Sequence, residues 1–226
     1  MVSKSRLAGA GALIAAPIVA ITANLVRPTL SDEAANQVAA FTEHRGAMIA
    51  GIALSAIAVM LLTGGIVWLA LELARQAPRL ALAGGVLGVF GSLLIMFLTG
   101  VSAAAPAIVH VLSPVRATAT LHGIQSSAAV KGLEPLQLLG DLGIALLGIA
   151  AIRAGAPRWA GIAIVVGAFG EGAGFGTASK AVVIGAFAVL FVGLIEVVRT
   201  RLASSGEPVA ATTVSGGVAA AGGSFR

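Results

Sequence analysis

Long apolar runs separated by short polar patches dominate the chain. They cover 7–26, 46–71, 80–104, 136–152, 159–176 and 178–198. A helix needs ~20 mostly apolar residues to cross the hydrocarbon core of a bilayer, so the pattern predicts about six spans. Only "GEGAGFGTASK", Gly170 to Lys180, separates the last two. A single helix over 159–198 would be ~60 Å long at ~1.5 Å per residue, twice the hydrocarbon thickness. A glycine-rich hairpin is expected instead, with its tip at Gly174–Gly176. Lys4 and Arg6 precede the first run as they would in a signal peptide. That run is long and "ITAN" is a poor cleavage site, so a retained span is expected.

The polar segments differ in length. "ARQAPR" and "RAGAPR" are short connections, whereas 27–45 and 105–135 read as longer loops. After Leu202 the sequence loses apolar periodicity and reads as disordered. The expected division is a six-helix transmembrane domain over 1–202 and a disordered cytoplasmic tail over 203–226. "RLAGAG" at Arg6, "RLALAGG" at Arg79 and "RWAGIA" at Arg158 each open an odd-numbered span, and "LELAR" and "IEVVR" each close an even-numbered one. Three related helical hairpins would give this repeat. So would a plain need for arginine at every helix end on one side.

Composition turns the pattern into a class. Hydrophobic residues make up 58% and charged residues 10%, against about 25% charged in soluble domains. The fold expected is therefore all-α, a polytopic transmembrane helical bundle, with the lipid bilayer as its first partner. With no cysteine there is no disulfide framework and no thiolate metal site. Thirty glycines would weaken helices in water, but in lipid small residues let helices approach closely. Gly84 and Gly88 form one small-xxx-small pair. Two Trp, no Tyr and eight Phe are poor material for an aromatic-lined pocket or an aromatic belt.

The net charge of +5 does not point to nucleic acid, because the basic residues lie in short connections beside apolar runs. With the N-terminus inside, nine of them (Lys4, Arg6, Arg75, Arg79, Arg153, Arg158, Arg199, Arg201, Arg226) fall on the cytoplasmic side. Five (Arg27, Arg45, Arg116, Lys131, Lys180) fall outside. The positive-inside rule then expects both termini in the cytoplasm. Six spans with an opening Arg6, Leu7, Ala8 and Gly9 resemble the small polytopic bacterial membrane proteins grouped under domains of unknown function. The resemblance covers the chain as a pattern of spans. It implies a multi-pass protein of the bacterial cytoplasmic membrane and brings no function with it.

The ionisable residues are distributed unevenly. Glu72 and Glu196 each precede an arginine by three residues at an inner helix end, which is ordinary anchoring. All three histidines, His44, His110 and His122, fall on the outer side, together with Asp32, Glu33, Glu43, Glu134, Asp141, Glu171 and Lys180. Glu134, Gln137 and Asp141 share one helical face, as do Thr99, Ser102, Pro106 and His110. A third stripe, His44, Met48, Gly51 and Ser55, runs into the second span. Asp141 and Glu171 lie inside spans, where an acid costs ~2.5–3.5 kcal/mol on insertion scales. Such a group faces the bundle interior with a partner, or is neutral. Lys180 is the expected partner of Glu171 across the hairpin, either as a structural tie or as the group that tunes a proton or ligand site.

Several chemistries are not expected. "GAGFG" has neither the strand nor the spacing of a dinucleotide fingerprint. A lysine in the last span is reminiscent of a retinal Schiff base, but that lysine belongs to a seventh helix. The histidines come from separate segments without ligand spacing, so neither metal nor cofactor is expected. The candidate site is Asp141, Glu171, Lys180, His110, His44 and Gln137. It suits transport or binding of a small solute, proton or cation under an outer vestibule. Six short spans make a small carrier unless two copies associate, so a homo-oligomer is an expected partner. Paired carboxylates also suit acid–base catalysis on a lipid or isoprenoid substrate, as in terpene cyclases. An accessory subunit would use the same residues only to hold helices together. A cavity shared by Asp141 and Glu171 and open to the outside would favour transport, a greasy pocket open sideways to lipid an enzyme, and no cavity the accessory role.

Overall fold

The computed structural model describes residues 4–28, 31 and 33–204; the expected disordered tail lies outside them. Ten α-helices make up the described chain, with no strand: α1 (Lys4–Val26), α2 (Ala34–Glu43), α3 (Arg45–Leu73), α4 (Pro78–Ala103), α5 (Ala105–Val111), α6 (Pro114–Gln125), α7 (Ala128–Leu133), α8 (Leu138–Arg153), α9 (Arg158–Gly176) and α10 (Lys180–Ser204). A single 3₁₀ turn at Glu134–Gln137 joins α7 to α8. Six segments are long and apolar enough to cross a membrane, built on α1, α3, α4, α8, α9 and α10. Each packs on its neighbour in the chain, and α10 packs back on α1. The bundle is therefore a closed ring of three antiparallel hairpins, α1/α3, α4/α8 and α9/α10.

The outer face of the ring is apolar, as a bundle in lipid must be. Outward positions carry large side chains such as Leu71, Leu82, Leu93 and Ile162. Inward positions mix large side chains such as Leu13 and Leu147 with many small ones, and glycine sets the closest seam. A Cβ on Gly91 would lie 2.2 Å from Gly140 Cα, and one on Gly143 would lie 2.2 Å from Gly88 N. Backbone touches backbone along α4/α8, the contact that small residues permit in membranes.

The two connections read as loops are helical. Proline at the first position starts α6 after Ser113, where its missing N–H costs nothing. Ala34, Val38 and Phe41 place one apolar face of α2 inward, and Ala117 and Leu121 do the same for α6. With Met48, Ile52 and Ala105 they form a second hydrophobic cluster. The segments called loops thus form a helical cap over one end of the ring. Their apolar faces are too short to register as spans, which is why the hydropathy pattern missed them.

The α9/α10 turn lies slightly beyond the expected tip. Helix α9 continues through Gly176, and the chain reverses at Thr177–Ser179. Ser179 N–H donates to Gly174 O at 3.0 Å and Ala178 N–H to Phe175 O at 3.0 Å. These are the two bonds of a Schellman cap. The left-handed residue is Ala178, at φ 51°, rather than one of the glycines that drew attention. The α8/α9 connection uses the same device with Gly155 at φ 89° and Ala156 N–H donating to Ala151 O at 2.9 Å.

The other end of the ring is solid. Leu13, Ile66, Leu69, Leu147, Leu194 and Val197 belong to the main core there. Arg6 Nε donates to Glu72 Oε1 at 2.7 Å, and a second guanidinium nitrogen reaches the other carboxylate oxygen. Glu72 therefore pairs across α1/α3 with Arg6, while Glu196 does pair with Arg199 at 2.8 Å. The Arg201 guanidinium, 5% exposed, donates to Gln76 Oε1 at 2.6 Å and to the Ala154 carbonyl. One side chain from α10 thereby ties both short connections.

Candidate functional site

Between the solid end and the cap the ring opens into a cavity of about 360 Å³, lined by residues of all six spans. Its floor is apolar: Pro17, Leu62, Gly88, Ile144 and Leu190. Its upper wall includes Arg27, Gln37, Gln125 and Gln137 from the capped end. Asp141 and Glu171 both line it.

Asp141 stands in the first turn of α8, one residue from the Gly140 contact with α4. The close α4/α8 seam thus brings it to the cavity wall. Its carboxylate lies against the backbone of α9 beside Glu171, because a Cβ on Gly172 would come within 2.9 Å of Asp141 Oδ2. Glu171 projects from α9 and is enclosed by the bundle; as a half-buried residue on the lining, its remaining accessible surface faces the cavity. Among the described residues neither carboxylate forms an ion pair or a side-chain hydrogen bond. Two acids from adjacent helices therefore share one cavity without a counter-charge from the described residues bonded to either.

The expected partnership of Glu171 with Lys180 is not what forms. Lys180 is the first residue of α10, and its Nζ donates to the carbonyl of Arg27, just past the end of α1. A helix C-terminus leaves its last carbonyls unsatisfied and carries partial negative charge. That site lies across the α1/α10 seam, and it captures the lysine.

The histidines also stay away from the carboxylates. His44 occupies the break between α2 and α3, with φ −131° and ψ 41°, and is exposed. His110 is exposed on α5, where its Nδ1 lies 3.4 Å from an Arg45 guanidinium nitrogen. The stripe Thr99, Ser102, Pro106, His110 is interrupted because α4 ends at Ala103. Pro106 offers no N–H to continue the ladder, and Ala104 and Ala107 use tighter i to i−3 bonds. Thr99 and Ser102 line the cavity and His110 does not. The third histidine, His122, is exposed on α6. Gln137 lines the upper cavity wall within the 3₁₀ turn; the side chain of Glu134 and all of Asp32 lie outside the described residues.

Sequence reasoning missed Asn24, Arg27, Ser92 and Gly172. Asn24 and Ser92 are 4% and 3% exposed, and both line the cavity. A signal for them existed. Pro17, Ala20, Asn24 and Arg27 follow helical spacing, and Ser92 heads the Thr99/Ser102 stripe two turns deeper. No group of three or more His, Cys, Asp or Glu among the described residues is placed to hold a metal ion. No family model matches the chain, and no curated protein or solved structure matches it significantly.

Proposed function

We propose that this chain is a multi-pass protein of a bacterial cytoplasmic membrane that takes a small solute into the cavity for binding or transport. Asp141 and Glu171 form the polar centre of the site. The observation that carries this reading is the meeting of both unpaired acids in one cavity built by every span. Acids inside a membrane domain are costly and mark solute or proton pathways. An accessory subunit has no need for such a space. A lipid-directed enzyme would need a sideways opening between spans; the packing of each span on both neighbours round the ring favours access from the capped end instead. The arginine-rich end is taken as cytoplasmic by the nine-to-five distribution of basic residues, so the cavity faces outward with both termini inside.

The absence of native cysteine makes the test clean. Ser92→Cys, deep in the cavity, is expected to react with a membrane-impermeant maleimide added to intact cells. Leu82→Cys, on the lipid face, is expected to stay unmodified. Labelling of Ser92→Cys only in inverted vesicles would reverse the orientation. No labelling from either side, in a folded variant, would remove the open site.

A further inference from the structure

Resting on that reading, we infer that the cavity selects a small organic ammonium ion rather than a neutral or anionic solute. The lining hydroxyls and the two carboxylates carry the inference together. Ser55 Oγ lies 2.9 Å from Gly51 O, Ser92 Oγ 2.8 Å from Gly88 O, and Ser102 Oγ 3.1 Å from Leu98 O. A carbonyl only accepts, so each hydroxyl spends its single proton on its own helix. What each serine then offers the cavity is oxygen lone pairs. Asn24 gives one of its two Nδ2 hydrogens to Ala20 O at 2.8 Å and keeps Oδ1 as a further acceptor. Asp141 and Glu171 add carboxyl oxygens with no bonded counter-charge among the described residues, and with either group ionised the pair is a net acceptor. The cavity wall is therefore rich in acceptors from Ser92 beside the acids up to Ser102 near the cap, and among the described residues its deep half has no cationic side chain.

The cationic residues nearby are engaged at the capped end. Lys180 gives its ammonium to the Arg27 carbonyl. Arg27 lies across α3, where a Cβ on Gly51 would meet its side chain, and has interactions of its own. Neither ion-pairs with Asp141 or Glu171. A donor-rich cation fits the space between the acids, and a carboxylate or phosphate does not.

Size and the remaining wall exclude a bare metal ion as the whole ligand. About 360 Å³ falls at the small end of organic-ligand pockets, which span roughly 300–1,000 Å³. Ile52, Ala58, Leu62, Ile144 and Leu190 give it an apolar side. Phe175 and Phe187, also on the lining, are aromatic residues of the kind that attract ammonium groups. The fitting ligand carries an ammonium head toward Asp141 and Glu171 and a compact hydrocarbon or aromatic body toward the floor.

The test compares two thiol reagents of equal reach and opposite charge, trimethylammonioethyl and sulfonatoethyl methanethiosulfonate. They are applied to the full chain with Ser92→Cys, with Ser55→Cys as a second probe. Ala119→Cys, exposed on the cap, gives the reagents' intrinsic rate ratio. After division by that ratio, the cavity cysteines are expected to favour the cationic reagent by roughly tenfold or more. One net charge about 10 Å away at an effective dielectric near 20 changes each reagent's local concentration by roughly tenfold in opposite directions, so tenfold is a lower bound on the ratio. The preference should vanish in Asp141→Asn/Glu171→Gln, and benzylammonium should slow the reaction where benzyl alcohol does not. Equal normalised rates, or a preference surviving neutralisation, would overturn the ammonium inference while leaving the open site standing. Cavity cysteines inert to both reagents, beside a reactive Ala119→Cys, would overturn both.

Discussion

Glu171 and Lys180 lie nine residues apart in sequence, yet the hairpin sends them to different partners. The lysine satisfies the end of α1, and the glutamate faces the cavity. Reversing the pair, Glu171→Lys with Lys180→Glu, should therefore not restore the folding yield lost by either single change. Lys180→Met alone should cost about 0.5–1 kcal/mol, the usual worth of a cation at a helix C-terminus. A double reversal that recovers yield in detergent-solubilised protein would show the two to be partners after all. At this scale the sequence was only half legible. Cost and depth singled out Asp141 and Glu171, because an acid in an apolar run has few reasons to be there, and both line the cavity. The partner of Lys180 could not be read, since a backbone carbonyl leaves no mark in the sequence and this one comes from a helix 153 residues away. His44 and His110 were placed by spacing that presumed unbroken helices. The break at Ala103–Pro106 and the junction at His44 turned them outward.

Helix α8 takes its position from α4, and the site takes its position from α8. The seam between them has room for hydrogen atoms only, at Gly91 and Gly143. Gly143→Ala should cost about 1–3 kcal/mol, the usual penalty for overpacking, and should also pull Asp141 away from the cavity wall. Gly185 is helical too, but a Cβ there meets nothing within 4 Å. Gly185→Ala should be neutral or slightly stabilising, since alanine is the better helix former. Paired melting curves check this, and equal effects of the two changes would remove the seam from the account. The spans were legible because ~20 apolar residues leave a strong signal. The cap was not, because α2 and α6 bury only one short face each, and polar residues around that face read as loop.

Across the whole molecule one end is packed solid and tied by Arg6, Glu72 and Arg201, while the other holds a cavity under a helical cap. That asymmetry matches the uneven placement of titratable groups along the chain, which was visible before any fold was known. The cavity itself was not, because it depends on how six helices close into a ring. The central claim is that Asp141 and Glu171 are held there for a ligand and not to brace the bundle. They have no bonded partner among the described residues, and together they place two acids in one confined space. Neutralising them removes mutual repulsion and the cost of holding charge in the membrane domain. The most direct measurement is the melting temperature of the purified, ligand-free protein with Asp141→Asn, Glu171→Gln and both. The account predicts melting at or above wild type, with the double variant higher by about 2–4 °C for each kcal/mol relieved in a chain of this length. Neutral variants that melt well below wild type would show that the two acids brace the bundle, and would contradict the account.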